Sequence, residues 1–259
     1  MQGRERVFRT EAVILRRHDL GEADRLLSVF TPDRGKLRVV AKGVRRTRSR
    51  KAGHLEPLTR TSLLIARGRD LDIVTQAEAI ETFPGLRSNL LQVGHASYAV
   101  ELVDRFTWEE GEGHSLYHLL VDTLSRLEGG RDPFAVLRFF ELHLLETVGY
   151  RPELYRCLGC SAEIQAQDQF FGPVLGGVLC PACGPRQPGT RALSLSALKV
   201  LRHLQRSAFE AAAAPAIRTG VRAEVERLLE EYIAAILERR LHTPAFLRTV
   251  RRLEPDPTG

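Results

Sequence analysis

The sequence predicts an α+β protein in which an N-terminal five-stranded OB-type β-barrel is followed by an α-helical domain carrying a four-cysteine zinc-binding insertion. Three observations support this fold class: β-type segments fill the first third of the chain, helical periodicity fills the rest, and four cysteines in the helical part form two C-x2-C pairs. We place the barrel at residues 1–82, the helical domain at 83–259 and the insertion at 150–190. A chain of 259 residues has room for two ordinary domains.

Five segments of the first third are predicted to be strands, because they are short and rich in Val, Ile, Leu, Thr and Phe. They cover residues 6–15, 25–31, 36–42, 60–66 and 71–80. Turn residues follow the second strand at Pro32-Asp33-Arg34-Gly35 and the fourth at Gly68-Arg69-Asp70. Five strands whose longest connection lies between the third and fourth are typical of an OB barrel, although an SH3-like barrel has a similar strand count.

Hydrophobic residues at helical spacing predict a series of helices after residue 83. Asp132 is expected to cap one of them, with Pro133 at its first helical position. Ser194 or Ser196 is expected to cap another. The predicted helices cover residues 90–106, 116–127, 133–149, 197–206 and 221–237.

The net charge of +6 is unevenly distributed along the chain. Residues 1–82 carry 18 Lys and Arg against 11 Asp and Glu, or +7, whereas residues 83–259 carry 20 against 21, or −1. A localised basic excess is typical of a protein that binds nucleic acid or another anionic surface. We find no signal peptide, spanning segment, amphipathic membrane helix or lipidation motif, and therefore expect a cytoplasmic protein without membrane contact.

The most basic stretch is the long connection between the third and fourth strands, where six Lys and Arg fall within residues 42–51. Its glycines and polar residues indicate that it has no core-facing side, so its charges should point into solvent or toward a partner. A solvated loop and a nuclear-localisation signal are the alternatives to phosphate binding. The predicted DNA-binding residues include neighbours from the adjoining hairpin and strand: Arg34, Lys36, Arg38, Lys42, Arg45, Arg46, Arg48, Arg50 and Lys51.

Aromatic residues are scarce in the basic third of the chain. Phe8 and Phe30 are the only ones between residues 1 and 82, and both lie within apolar strand segments where core packing is expected. A barrel that stacks bases would carry more exposed rings. We therefore expect contact with the DNA backbone, little sequence preference and strong weakening by salt.

All four cysteines of the chain belong to a possible metal site. Cys157 and Cys160 form one C-x2-C pair, and Cys180 and Cys183 form another after a gap of nineteen residues. This spacing lets two knuckles offer four thiolates to one tetrahedral Zn²⁺, with no open position for a catalytic water. Disulfides are disfavoured in a reducing compartment, and thioredoxin-type redox chemistry is disfavoured by the duplicated motif and the missing βαβ frame. The sequence predicts one structural zinc ion.

No catalytic motif accompanies the zinc ligands. The sequence contains no Walker loop, no G-x-G-x-x-G and no G-x-S-x-G. We therefore expect a binding protein and not an enzyme.

Two stretches resemble the RecO family of bacterial recombination mediators. The first, DRLLSVFTPDRGKLRVVAKGVRRTRSRKAGHLEPLT at 24–59, contains V-x-x-K-G-x-R-x-x-x-S, which begins at Val39. The second, LRFFELHLLETVGYRPELYRCLGC at 137–160, contains F-E-L-x-L-L-x-x-x-G-Y, which begins at Phe140. The resemblance extends over nearly the whole chain, but the family does not require the four cysteines, so zinc follows from their spacing alone.

The resemblance implies a DNA repair and recombination role. A RecO-like protein is expected to bind single- and double-stranded DNA at the nucleoid and to anneal complementary strands. It is expected to work with RecR and RecF, to contact the C-terminal tail of single-strand-binding protein, and to help RecA displace that protein. The alternatives are a generic zinc-stabilised nucleic-acid binder, which would not anneal strands, and a subunit of a nucleic-acid-processing enzyme, which would need acidic metal ligands or a nucleotide loop.

Overall fold

The structure, a computed structural model, describes residues 6–108, 111, 113–214, 216–238, 241 and 243–253. Contacts divide the chain into two compact units, Met1–Gly129 and Gly130–Gly259. The first unit holds a barrel and two helices, and the second holds the remaining helices and a small sheet. The predicted domain boundary after residue 82 stays a prediction.

Five strands of the first unit form a closed barrel in the order β1-β2-β3-β5-β4. They are β1 (Val7–Leu20), β2 (Asp24–Thr31), β3 (Gly35–Ala41), β4 (Arg60–Ala66) and β5 (Asp72–Glu81). The barrel closes through an antiparallel β1–β4 pair and a short parallel β3–β5 pair. This strand order, with a long connection after β3, is that of an OB barrel, and the predicted fold class is confirmed.

Alternation of side chains explains why these segments form a barrel. Along β4, Thr61, Leu63 and Ile65 are buried, whereas the residues between them are partly exposed. The barrel core also contains Leu27 and Val29 of β2, both fully buried. Each strand therefore contributes one apolar face to a single interior.

The first strand is longer than its apolar segment predicts. β1 continues to Leu20, beyond the predicted end at residue 15, and its register shifts between Ile14 and Arg16. The extension stays paired with β2 up to Leu20 and Asp24, so cross-strand pairing and not burial holds it in place. It forms a two-stranded arm, residues 16–26, that carries the β1–β2 turn.

Among the described residues of the first unit, two α-helices follow the barrel: α1 (Leu90–Phe106) and α2 (His114–Glu128). The side chain of Asn89 caps α1 by accepting a hydrogen bond from the Gln92 amide at 2.8 Å. Asp104 of α1 contacts three strands of the barrel, through Arg16 of β1, Ser28 of β2 and Lys36 of β3. The C-terminal part of α1 is thereby fixed on the outer face of the barrel.

The described residues of the second unit form five further α-helices. They are α3 (Pro133–Thr147), α4 (Leu195–Arg206), α5 (Phe209–Ala213), α6 (Thr219–Leu237) and α7 (Thr243–Leu253). The predicted caps are present: the Asp132 side chain accepts from the Phe134 amide, and Ser194, of the two candidate serines, accepts from the Ala197 amide. Within the described residues, no helix combines the length and apolar character that crossing a membrane requires.

A small antiparallel sheet lies between α3 and α4 in the sequence. Its strands β6 (Gln169–Gly172), β7 (Gly177–Leu179) and β8 (Arg191–Leu193) have the order β7-β6-β8. Phe171 of β6 is fully buried and packs edge-on against Tyr232 of α6, with ring centroids 5.6 Å apart. The insertion is therefore anchored on the helices of its own unit.

The Tyr232 hydroxyl makes this anchor sensitive to alkaline pH. It donates a hydrogen bond to the Tyr150 carbonyl at 2.8 Å, and burial, assisted by the nearby Tyr150, raises the pKa of Tyr232 to about 12. The unfolded chain releases the phenolic proton near pH 10, whereas the folded chain keeps it to about pH 12. Ionisation of Tyr232 is therefore less favourable in the folded chain, and we expect the free energy of unfolding to fall by about 2 to 3 kcal/mol as the pH rises from 10 to 12.

Urea unfolding between pH 8 and 12 checks this expectation. Tyr232→Phe should remain folded, lose about 1 kcal/mol at pH 8 with its hydrogen bond, and show a flatter decline above pH 10 than the parent. Tyr150→Phe keeps the carbonyl acceptor and is the control. Parallel declines of the parent and Tyr232→Phe would contradict the assignment.

Candidate nucleic-acid interface and metal centre

The connection between β3 and β4 is held in place by hydrogen bonds to the barrel. We call residues 42–51 the basic loop. The Gly43 amide donates to Asp24 Oδ1 at 2.7 Å, and the Arg45 amide donates to the Ala23 carbonyl at 2.9 Å. The Arg45 guanidinium also donates to the Gly21 carbonyl at 3.0 Å. These contacts fasten the basic loop to the β1–β2 turn.

Buried apolar residues correct the expectation that this connection lacks a core-facing side. Val44 is 1% exposed and belongs to the barrel core, as does Leu55 in the 3-10 turn Ala52–Leu55. Single apolar residues between charged ones are enough to fill the end of a small barrel. The basic loop is thus held by Val44, while five of its six charged side chains are exposed.

Five cations of the basic loop are exposed to solvent; Arg45 is held by the contacts above, and the other four are Lys42, Arg46, Arg48 and Arg50. In the part of the chain that the structure describes, none of these four side chains has a hydrogen-bond or ion-pair partner. The basic loop itself contains no acidic residue. It therefore presents four uncompensated positive charges on an anchored backbone, an arrangement suited to contact with phosphate.

Other predicted DNA-binding residues are used within the protein. Lys51 Nζ donates to the Val74 carbonyl at 3.0 Å, and burial lowers the pKa of Lys51, partly offset by Asp24. Lys36 Nζ donates to the Asp104 carbonyl at 2.7 Å and lies 3.5 Å from its carboxylate. These two lysines have structural roles, and contact of either with DNA stays a prediction.

The remaining predicted residues are spread over the barrel. Arg45 belongs to the basic loop and is 3.4 Å from the Asp19 carboxylate, whereas Arg38 is exposed on β3. Arg34 lies in the β2–β3 turn, with its guanidinium carbon 4.3 Å from the centroid of the Phe8 ring. The seven residues of β3, about 20 Å long, separate this turn from the basic loop. The nine predicted residues therefore extend along β3 from this turn to the basic loop, and their contact with DNA stays a prediction.

Ion pairs on the β1–β2 arm support the basic loop, and sequence reasoning missed them. The Glu56 carboxylate, just past the basic loop, pairs with Arg17 of β1 and Arg25 of β2. Arg25 also lies 3.4 Å from Asp19. The only sequence signal was the polar run 16–20 after the apolar half of β1, which indicates a strand extending beyond the core.

The four cysteine sulfurs converge as their spacing predicts. Cys157 and Cys160 flank a tight turn before the small sheet, and Cys180 and Cys183 follow β7. All four Sγ atoms lie within 4.8 Å of one another, and those of Cys160 and Cys180 are 3.9 Å apart. A tetrahedral Zn–S distance of about 2.3 Å places sulfurs about 3.8 Å apart. The cluster therefore has the dimensions of a metal site.

Backbone amides favour a thiolate at the buried member of the cluster. Cys157 is 1% exposed, and its Sγ accepts hydrogen bonds from the amides of Cys180 at 3.2 Å and Gly159 at 3.4 Å. Burial acts to raise the pKa of the Cys157 thiol, but these hydrogen bonds outweigh it and lower the pKa to about 6. A side chain at Gly159 would meet Cys183 Sγ at 2.9 Å, so this glycine lets the two knuckles approach.

The chemistry of the cluster follows from its donor set. Four thiolate ligands complete a tetrahedral shell and leave no position for a water or substrate. The cluster can hold one metal ion that joins the turn at Cys157 to the end of β7. Such an ion crosslinks the insertion and stabilises a sheet of only three short strands.

Two protein-family models match this chain, one over its N-terminal part and one over its C-terminal part. The family model described as Recombination protein O N terminal matches residues 4–83, and the one described as Recombination protein O C terminal matches residues 87–245. The chain belongs to the RecO family. The resemblance seen in the sequence motifs is thereby confirmed.

Full-length relatives agree with this assignment. The DNA repair protein RecO of Roseiflexus sp. (strain RS-1) is 46% identical over 250 residues, which cover 96% of this chain and 88% of the relative. The DNA repair protein RecO of Symbiobacterium thermophilum is 37% identical over 95% of this chain and 98% of its own length. That of Dehalococcoides mccartyi (strain CBDB1) is 36% identical over 94% and 96%. The chain is a RecO-family DNA repair protein.

Proposed function

We propose that this RecO-family protein is a recombination mediator that binds single- and double-stranded DNA without sequence preference and anneals complementary strands. The observation that carries this proposal is the basic loop, with its four exposed and uncompensated cations on an OB barrel. Cations of this kind attract phosphates of any sequence and release condensed counterions on binding. Binding should therefore weaken steeply as salt is added.

The aromatic residues of the barrel support backbone contact over base stacking. Phe8 is 7% exposed beneath the Arg34 and Arg67 guanidinium groups, and Phe30 is 1% exposed and packs near Tyr117. Buried rings cannot stack on bases. The barrel therefore offers charge to a DNA strand and leaves its bases free to pair with a second strand, which is what annealing requires.

The partners in this proposal come from family membership. We propose that the protein acts with RecR and RecF, binds the C-terminal tail of single-strand-binding protein, and helps RecA load on DNA coated by that protein. Single-strand-binding protein covers DNA cooperatively and stacks on its bases, so a loop that contacts only phosphates competes poorly with it. A separate contact with the bound single-strand-binding protein is therefore needed. The tail contact should be weak alone and strengthened by simultaneous DNA contact through effective concentration.

The metal in this proposal is one structural Zn²⁺ held by Cys157, Cys160, Cys180 and Cys183. The four-sulfur donor set and the sulfur separations favour zinc over metals that prefer oxygen ligands. We assign no catalytic step to the protein. Its contribution to repair is to bring strands and partner proteins together in the cytoplasm.

Annealing of complementary oligonucleotides coated with single-strand-binding protein tests the mediator function. We expect strands coated with intact single-strand-binding protein to anneal faster than strands coated with its tail-deleted form. Addition of RecR should change the annealing rate further. Naked strands, measured in parallel, report the annealing activity of the protein itself.

Two results would count against this function. Equal annealing rates with intact and tail-deleted single-strand-binding protein, together with no binding of the isolated tail peptide, would indicate a generic nucleic-acid binder. Failure to anneal naked strands that the protein does bind would remove the annealing role itself.

A further inference from the structure

The exposed face of α4 in the second unit carries only positive charge. Lys199, Arg202, His203 and Arg206 fall within about 100° of one another around the helix axis. The opposite face is apolar, with Leu198, Leu201 and Leu204 buried. No acidic residue occurs in Leu195–Arg206, although residues 83–259 as a whole have a net charge of −1. This helix therefore concentrates positive charge in a part of the chain that is otherwise nearly neutral.

A neighbouring segment, residues 151–156, extends this surface. Arg202 donates through Nε and Nη2 to the Leu154 carbonyl at 3.0 and 2.7 Å, and its guanidinium carbon is 4.7 Å from the Tyr155 ring centroid. Gln205 Nε2 donates to the Pro152 carbonyl at 2.9 Å. The segment thus lies along α4, and it places the exposed Arg156 beside the helix.

Two carboxylates of this region, those of Glu153 and Glu146, are engaged by other groups, whereas Glu163 is the partner of Arg156 in an isolated antiparallel bridge. Glu153 Oε1 accepts from the amides of Tyr155 and Arg156, at 2.6 and 3.0 Å. Glu146 pairs with Arg151 at 3.0 Å. Within the described residues, the side chains of Arg156, Lys199 and Arg206 have no hydrogen-bond or ion-pair partner. We call these three residues the α4 basic face.

We infer that the α4 basic face binds the phosphate backbone of DNA, as a second contact surface in addition to the basic loop. This inference rests on the proposed DNA-binding function and extends it to the helical part of the chain. Lys199 and Arg206 lie about two helical turns, roughly 10 Å, apart along α4 with Arg202 between them, and such a row complements an extended polyanion. A protein with two such surfaces can hold two backbones at once, which is a physical requirement for bringing complementary strands together.

The local chemistry favours nucleic acid over an acidic peptide with an apolar end. Such a peptide needs an apolar pocket for its anchor as well as a cationic rim. On α4, the Arg202 guanidinium covers the Tyr155 ring, and the leucines of the helix are buried. A charged face whose apolar neighbours are buried or covered fits a ligand that is recognised through its phosphates.

A charge-matched pair of variants tests the inference. The test variant is Arg156→Gln/Lys199→Gln/Arg206→Gln. The control, Arg186→Gln/Arg218→Gln/Arg227→Gln, removes the same charge from equally exposed residues of the second unit that lie outside α4 and residues 151–156. Binding of the full-length protein to a labelled duplex and to labelled oligo-dT is measured as a function of salt, with circular dichroism to confirm folding.

We expect the slope of log K against log salt for the duplex to decrease by about 2 to 3 in the test variant, at about 0.9 per lost phosphate contact, and to stay near the parent value in the control. Equal slopes in all three proteins, or equal decreases in both variants, would overturn the inference while leaving DNA binding by the basic loop intact. Loss of binding to an acidic, apolar-ended peptide with unchanged DNA binding would assign the face to a protein partner and also overturn it. If the parent binds no DNA, both the inference and the proposed function fail.

Discussion

Replacing Cys160 by serine is expected to remove the bound metal and to lower the free energy of unfolding of the second unit by several kcal/mol. Structural zinc sites contribute an apparent 10 to 16 kcal/mol in small peptides, and a three-sulfur site retains only part of this. The sheet β7-β6-β8 has strands of only three or four residues, so little else holds it together. The insertion should therefore unfold before the helices that support it.

The exposure of Cys160 makes this substitution informative. Cys160 is exposed, whereas Cys157 is buried, so Cys160→Ser leaves no cavity in the core. Surface substitutions without a specific role usually change stability by less than about 0.5 kcal/mol. A large loss at this position therefore reports the metal and not packing. Ser161→Ala, an exposed neighbour in the same turn, is the matched control and should behave like the parent.

Metal analysis and denaturant unfolding together test whether the four cysteines hold a structural zinc ion. We expect one equivalent of zinc in freshly prepared, reduced parent protein and in Ser161→Ala, and much less in Cys160→Ser. Chelation of the parent should reproduce the unfolding curve of Cys160→Ser. Absence of zinc from the reduced parent, or equal stability of all three proteins, would refute a structural zinc site.

The metal cluster could be predicted from the sequence because its geometry is local. Two C-x2-C turns each fix a pair of sulfurs within a few residues, so only the meeting of the two pairs depends on the fold. The barrel was predictable for a related reason. Its hairpin turns carry residues with strong turn preferences, and β4 was placed at 60–66, the bounds that the structure gives.

The proposed DNA-binding surface was less predictable because ion partners are distant in the sequence. Lys36 looks like any other basic residue next to the basic loop, yet its partner Asp104 lies on a helix 68 residues further along the chain. Likewise, no local pattern shows that Lys51 turns inward to the Val74 carbonyl. Composition locates an excess of charge, but only the fold separates the charges used internally from those left for a ligand.

This separation determines which residues to neutralise in a test of the basic loop. Substitution of Lys36 or Lys51 would remove contacts within the protein, and a loss of DNA binding would then be ambiguous. Lys42→Gln/Arg46→Gln/Arg48→Gln/Arg50→Gln removes four exposed cations without a partner among the described residues. The apolar anchors Val44 and Leu55 remain, so the variant should fold with the thermal stability of the parent.

We expect this quadruple variant to lose two to three orders of magnitude in DNA affinity at moderate salt, at roughly 1 kcal/mol per screened phosphate contact. The slope of log K against log salt should decrease by about 3 to 4 on duplex and by somewhat less on single strands, since each neutralised phosphate releases fewer counterions from a single strand. The decrease should be the same for oligonucleotides of unrelated sequence, because the loop contacts phosphates and not base edges.

A smaller matched pair localises the effect on the barrel. Arg46→Gln/Arg48→Gln removes two charges from the basic loop, and Arg6→Gln/Arg69→Gln removes two exposed charges from the other end of the same barrel. Fluorescence anisotropy over a range of salt concentrations compares the two. If net charge alone attracted DNA, both variants would weaken binding equally, and the basic loop would have no special role. A loss confined to Arg46→Gln/Arg48→Gln instead requires direct phosphate contact at the loop, because screening limits the influence of a charge to about 10 Å at 0.1 M salt.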